Sequence, residues 1–342
     1  MKKIKISLLN NLYNKIKEKY PLYLPVKSAG EVNYKMYEDG DEVALSTLKT
    51  NKSPKDAFFP QSEDIVKFKV EGKNIEIIDI REKPVEYVIM GVRACDFKAF
   101  DVLDNVFLSN PRDSFYAAKR EQGIVITHAC AKPEESCFCA AFGIDATNPM
   151  GDITVWSDKD YLYWRANTGK GESLTSFVGE LFEDGGDKEV QDIQAKTKEI
   201  MDKLPLKDLD LTPFKNAELL DLFNSPKWNE LSEACLGCGT CTFVCPTCQC
   251  FDIKEFVTNS GVNRFRCWDS CMYSDFTRMA HGNNRNTQAQ RFRQRFMHKL
   301  VYYPSQYGGL MSCVGCGRCL KKCPQQLNIA KVIKAFGGNK DE

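Results

Sequence analysis

The chain has no run of the ~18 apolar residues that a membrane-spanning helix needs, so no span is expected. It has almost no net charge either: 47 basic residues face 46 acidic ones for a formal +1, which leaves no global electrostatic footprint for nucleic acid. The basic opening Met1-Lys2-Lys3-Ile4-Lys5 is followed by Leu8, Leu9, Leu12, Tyr13 and Ile16 interleaved with Asn and Lys. That pattern predicts an amphipathic helix rather than a secretory leader. Thr168-Gly-Lys-Gly-Glu-Ser173 is no phosphate loop, because glycine rather than Ser or Thr follows the lysine. No flavin or nicotinamide fingerprint is present. These absences predict a cytoplasmic chain that faces other proteins.

Cysteine, by contrast, is abundant. Sixteen cysteines in an unexported chain predict metal ligands rather than disulfides, because the cytosol keeps thiols reduced. Eight fall in two matching runs, Cys235-x-x-Cys238-x-x-Cys241-x-x-x-Cys245-Pro246 and Cys313-x-x-Cys316-x-x-Cys319-x-x-x-Cys323-Pro324. This is the ligand spacing of bacterial two-cluster ferredoxins, in which the fourth cysteine of each run ligates the other cluster. The expected sets are therefore Cys235, Cys238, Cys241 and Cys323 for one 4Fe-4S cluster, and Cys313, Cys316, Cys319 and Cys245 for its partner. A pair of zinc sites is the alternative. Zinc has no use for a third cysteine at the same step or for a Cys-Pro closing both runs.

Texture along the chain predicts an α+β protein. An N-terminal α/β domain over residues 1–215 precedes a mainly helical dicluster ferredoxin domain over 216–342. In the first part, Ile65–Val70 and Ile75–Ile78 flank Glu71-Gly72-Lys73-Asn74 as a hairpin, and Val43–Thr47 reads as strand. Val85–Val92 and Gly123–Thr127 read as buried parallel strands around a short helix. Residues 152–165 read as further strand and Val190–Leu204 as a polar helix. In the second part, helices are expected at Leu219–Phe223, Trp228–Ala234, after Pro246, at Thr287–Tyr302 and at Leu327–Phe336. The long stretch between Cys245 and Cys313 must fold back on itself for the two runs to meet.

A third constellation lies in the first part. Cys95 and Cys130 each follow one of the two apolar strands, where open α/β sheets build sites, and Cys137-Phe138-Cys139 lies further along the second loop. These four are expected to hold a third 4Fe-4S cluster, with Asp96 as a substitute ligand. The plainer reading is buried small hydrophobes, and a catalytic thiol is a further alternative. Cys248, Cys250, Cys267 and Cys271 read as polarizable lining of the dicluster core rather than a fourth metal site. His128, beside Cys130, suits hydrogen bonding around a site better than ligation. The arginines of Arg285–Lys299 are expected to offset cluster charge or to dock an acidic partner.

Several of these segments together resemble a known family. Cys245-Pro-Thr-Cys-Gln-Cys-Phe-Asp252, Trp268-Asp-Ser-Cys271, Arg291-Phe-Arg-Gln-Arg295 with His298-Lys299, and Cys313-Val-Gly-Cys-Gly-Arg-Cys319 are similar to the iron-sulfur β subunits of soluble cytoplasmic hydrogenases (sulfhydrogenases) and to the iron-sulfur electron-transfer subunit of anaerobic sulfite reductase. Arg93-Ala-Cys-Asp96 and Cys137-Phe-Cys139 match as well. The resemblance implies a non-catalytic electron-transfer subunit. Its 4Fe-4S clusters would relay single electrons between an FAD- and NAD(P)-binding reductase subunit and a separate catalytic subunit, hydrogenase or sulfite reductase. Two competing classes are a self-sufficient reductase of a small sulfur compound and an iron-sulfur redox sensor.

Overall fold

A computed structural model describes residues 1–81, 83–216 and 218–337. Its largest element is a mixed sheet of eight strands. Leu22–Ser28, Tyr87–Val92, Gly123–His128 and Ile153–Ser157 run parallel at its centre, in that order. Glu31–Met36 pairs antiparallel on one side; on the other, Tyr161–Ala166, Lys2–Lys5 and Glu183–Asp184 follow in that order, each antiparallel to the strand before it. Tyr87–Val92 and Gly123–His128 are buried along their whole length, as unbroken apolar strands covered on both faces should be. Alternate side chains serve the two faces. Val88, Met90, Ile124 and Ile126 pack with Leu12, Tyr13 and Ile16 of helix Leu9–Lys17. Ile89, Val92 and Val125 pack with Phe100, Leu103 and Phe107 of helix Ala94–Phe107.

The expected parallel pair and its helix are thus in place, and so is the hairpin, in which Glu71 pairs with Asn74. Residues 152–165 resolve into a hairpin of two strands. Val43–Thr47 forms no strand; Val43 makes a single bridge to Val26.

One expectation needs a larger correction. The segment after Pro246 is a β-hairpin, Phe251–Thr258 with Gly261–Trp268, and not a helix. Its β-branched and aromatic residues, among them Ile253, Phe256, Val257, Val262 and Phe265, suit a pleated surface. Its second strand also pairs with Ser62–Glu71, giving a four-stranded sheet drawn from both sides of residue 215. Gly261 permits that pairing, since a Cβ there would lie 2.1 Å from the Phe68 carbonyl oxygen.

The remaining C-terminal elements are helices around a second core that includes Trp228, Phe292, Phe296, Leu300 and Ile333. The central helix Gln288–Met297 starts at a capping box between Thr287 and Gln290. A π-helical turn, His298–Tyr302, continues it.

Candidate metal centre

The two cysteine runs fold alike. Each turns through two glycines in the left-handed region, Gly237 and Gly239 in the first run and Gly315 and Gly317 in the second, and then enters a short helix, Thr240–Phe243 or Arg318–Lys322. The two short helices lie against each other, which interleaves the runs. Two cavities result. One is lined by Cys235, Cys238 and Cys241 together with Cys323 from the opposite run. The other is lined by Cys313, Cys316 and Cys319 together with Cys245.

The donor chemistry fits a polynuclear iron-sulfur group. Each cavity offers four thiols around a volume rather than at a point. Among the described residues, no three Cys, His, Asp or Glu side chains come together as a single-ion site. Buried cations add to the fit, because a thiolate-bound cluster is an anion and a buried charge must be paired. Lys55 Nζ donates to the carbonyls of Cys245 (3.0 Å) and Cys248 (2.6 Å). Lys299 Nζ donates to Thr247 Oγ1 at 2.7 Å and to the Ser312 carbonyl at 3.2 Å. Arg295 Nη2 donates to the Cys241 carbonyl at 3.2 Å.

The electrostatics pull in two directions. Burial pushes the Cys241 thiol up to about 11 and the Cys316 thiol up to about 12, so each favours its neutral form until a metal takes it. Cys245 goes the other way: the Cys248 thiol hydrogen-bonds it and Lys299 attracts it, holding it well below the usual thiol range. Burial alone would lower Lys299, but its thiol neighbours, Cys245 foremost, outweigh burial and keep its ammonium charged.

The third constellation is also drawn together. Cys130, Cys137 and Cys139 are buried in one cluster, and Cys95 packs against it. Arg93 ties the two strand-following loops, donating to the carbonyls of Ala129 (2.9 Å), Leu45 (3.1 Å) and Thr47 (3.0 Å). Burial pushes Cys130 up to about 11 and Cys139 up to about 12. Cys95 packs equally against Cys316 and Val314. Phe138, between Cys137 and Cys139, lines the second cavity, and its N–H donates to the Gly315 carbonyl at 3.0 Å. Asp96 is engaged elsewhere, in a buried ion pair with Arg318.

Of the four cysteines read as lining, Cys248 lies by Cys245, and Cys250 and Cys271 sit within hydrogen-bonding reach of each other. Cys267 borders a separate groove with Asp252 and Asp269. His128 meets Ser157 Oγ at 2.9 Å through Nε2. The basic helix divides: Arg295 and Lys299 turn inward, whereas Arg293 stacks on Phe223 at 3.5 Å. Lys55 and the Asp96–Arg318 pair went unread in the sequence, where a lone lysine or arginine gives no sign of burial.

Comparison with known proteins agrees with this geometry. Residues 234–327 match the family model described as a 4Fe-4S dicluster domain. The chain is 32% identical over 324 residues to the Sulfhydrogenase 2 subunit beta of Pyrococcus furiosus, covering 94% of this chain and 93% of that one. The chain belongs to the sulfhydrogenase beta-subunit family. Within that family it is an iron-sulfur electron-transfer subunit, and the relative stands on the hydrogenase side of the resemblance rather than the sulfite reductase side. Among the described residues, no helix is long and apolar enough to cross a membrane.

Proposed function

We propose that this beta-type subunit relays single electrons through three thiolate-held 4Fe-4S clusters arranged as a chain of neighbours. The cavity of Cys235, Cys238, Cys241 and Cys323 is at one end, that of Cys313, Cys316, Cys319 and Cys245 is in the middle, and Cys95, Cys130, Cys137 and Cys139 are at the other end. Bound there, the clusters supply one-electron redox chemistry. The protein's residues fix the spacing, exclude water and set the charge around each centre.

The observation that carries this reading is the seam at Phe138 and Gly315, where the Cys137–Cys139 loop is hydrogen-bonded onto the second cysteine run. One sulfur group thereby abuts the next. The outer partners in this reading are an FAD- and NAD(P)-binding reductase subunit, which splits a hydride into single electrons, and a separate catalytic hydrogenase subunit. The absence of a nucleotide fingerprint in the chain and the subunit status of the relative both support that division of labour.

Iron and acid-labile sulfide on anaerobically purified protein test the cluster count. About twelve irons per chain are expected, falling to about eight when Cys95 and Cys137 are both replaced by serine. Eight in the parent chain would remove the third centre from the relay. Capture of the native complex under anaerobic conditions tests the partners, and a flavoprotein together with a hydrogenase subunit should co-purify.

A further inference from the structure

The helix Gln288–Met297 and the turn after it direct two cations into the dicluster core, and their situations differ. Lys299 borders only the cavity of Cys245, Cys313, Cys316 and Cys319, and its ammonium is occupied by Thr247 and Ser312. Arg295 borders both cavities. It is 3% exposed, and its Nε and Nη1 are buried without a hydrogen-bond partner. Nη2 alone is hydrogen-bonded, to the Cys241 carbonyl, and the guanidinium lies 4.5 Å from the Phe296 ring, which offers its N–H groups no acceptor lone pair. A guanidinium is always charged, and leaving two of its N–H-bearing nitrogens both dry and unpaired is costly unless an anion meets them. The cavities that Arg295 borders, each lined by four thiols, are where that anion would sit.

We propose that Arg295 is a single positive charge shared by the two cluster sites, raising both reduction potentials and coupling them. This rests on the reading that both cavities hold clusters. An electron arriving at either site gains from the same guanidinium, whose N–H groups donate to the sulfurs of that site more strongly once the extra charge is there. The other site then holds its next electron less firmly. No proton moves and no covalent bond changes; one electron enters and one leaves. Arg295 acts as a positioning and charge-tuning residue rather than a ligand.

The test is an EPR-monitored redox titration of the full-length protein, with iron and sulfide counted in every sample. Arg295→Gln should lower the midpoint potentials of both dicluster centres at unchanged iron. Arg295→Lys, which keeps the charge but not the planar fork, should lower both by less. Lys299→Met should lower only the centre held by Cys245, Cys313, Cys316 and Cys319. An Arg295→Gln protein with full iron in which one potential or neither moves overturns the proposal. Should that variant shed iron, loss from both sites supports a shared charge and loss from one site overturns it. A parent chain with fewer than two clusters would defeat the underlying reading rather than the role of Arg295 within it.

Discussion

Arg318, inside the second cysteine run, clasps Asp96, the residue after Cys95, through two parallel bonds: Nη1 to Oδ1 at 2.5 Å and Nη2 to Oδ2 at 2.7 Å, with both side chains buried. Arg318 Nε also donates to the Thr50 carbonyl at 2.9 Å. The pair locks the sheet-borne thiols to the dicluster core. Arg318→Met should cost about 3–5 kcal/mol of stability, because it strands a buried carboxylate. Adding Asp96→Asn should recover part of that loss. Anaerobic denaturant unfolding of both variants measures the difference, and a double variant no better than the single one would argue against the pairing.

The seam at Gly315 allows a controlled test. A Cβ at Gly315 would lie 2.4 Å from the Phe138 carbonyl oxygen, on a backbone with φ +60°, whereas one at Gly143, φ +70°, meets nothing within 4 Å. Gly143→Ala should therefore cost only the left-handed backbone penalty, about 1–2 kcal/mol. Gly315→Ala should cost clearly more and should loosen the Cys137–Cys139 loop, read as faster hydrogen exchange at the Phe138 amide.

The crossed ligand sets proposed for the two cavities predict crossed losses. Cys323→Ser should remove the cluster signal that Cys235→Ser removes, although the two residues lie in different runs. Cys245→Ser should match Cys313→Ser. Each change should release about four irons, and EPR of the reduced protein shows which signal goes. Matching by run instead of by cavity would refute the crossed arrangement.

His298 gives a pH dependence. Burial, with Lys299 and Arg285 nearby, depresses its imidazole from 6.5 to about 4. The fold therefore holds the neutral ring, and unfolding takes up a proton below pH 6.5. This contribution is fully present above the unfolded value and is lost as pH falls through 6.5 towards 4. Between those limits the parent should lose more stability than His298→Asn, and equal slopes in chemical denaturation would show that the ring is not desolvated.

Most of the candidate centre could be read from spacing, because cysteines three and four residues apart must share a turn whatever surrounds them. The buried strands Tyr87–Val92 and Gly123–His128 were legible for a similar reason: a short, largely apolar and β-branched run bounded by polar residues has few other uses. The hairpin Phe251–Trp268 was missed, although Asn259-Ser260-Gly261 between two β-branched runs was a usable turn signal. Its pairing with Ser62–Glu71 could not be foreseen, although that segment reads as strand, since pairing between segments so far apart in sequence leaves no local trace. Buried cations were equally silent. Lys55 resembles any surface lysine until Trp268 is found stacked 4.0 Å from its ammonium.

The sheet that joins Ser62–Glu71 to Gly261–Trp268 has a practical outcome. Severing the polypeptide at residue 215 and expressing the pieces apart would leave each with a bare strand edge that the other normally covers. Neither fragment should stay monomeric.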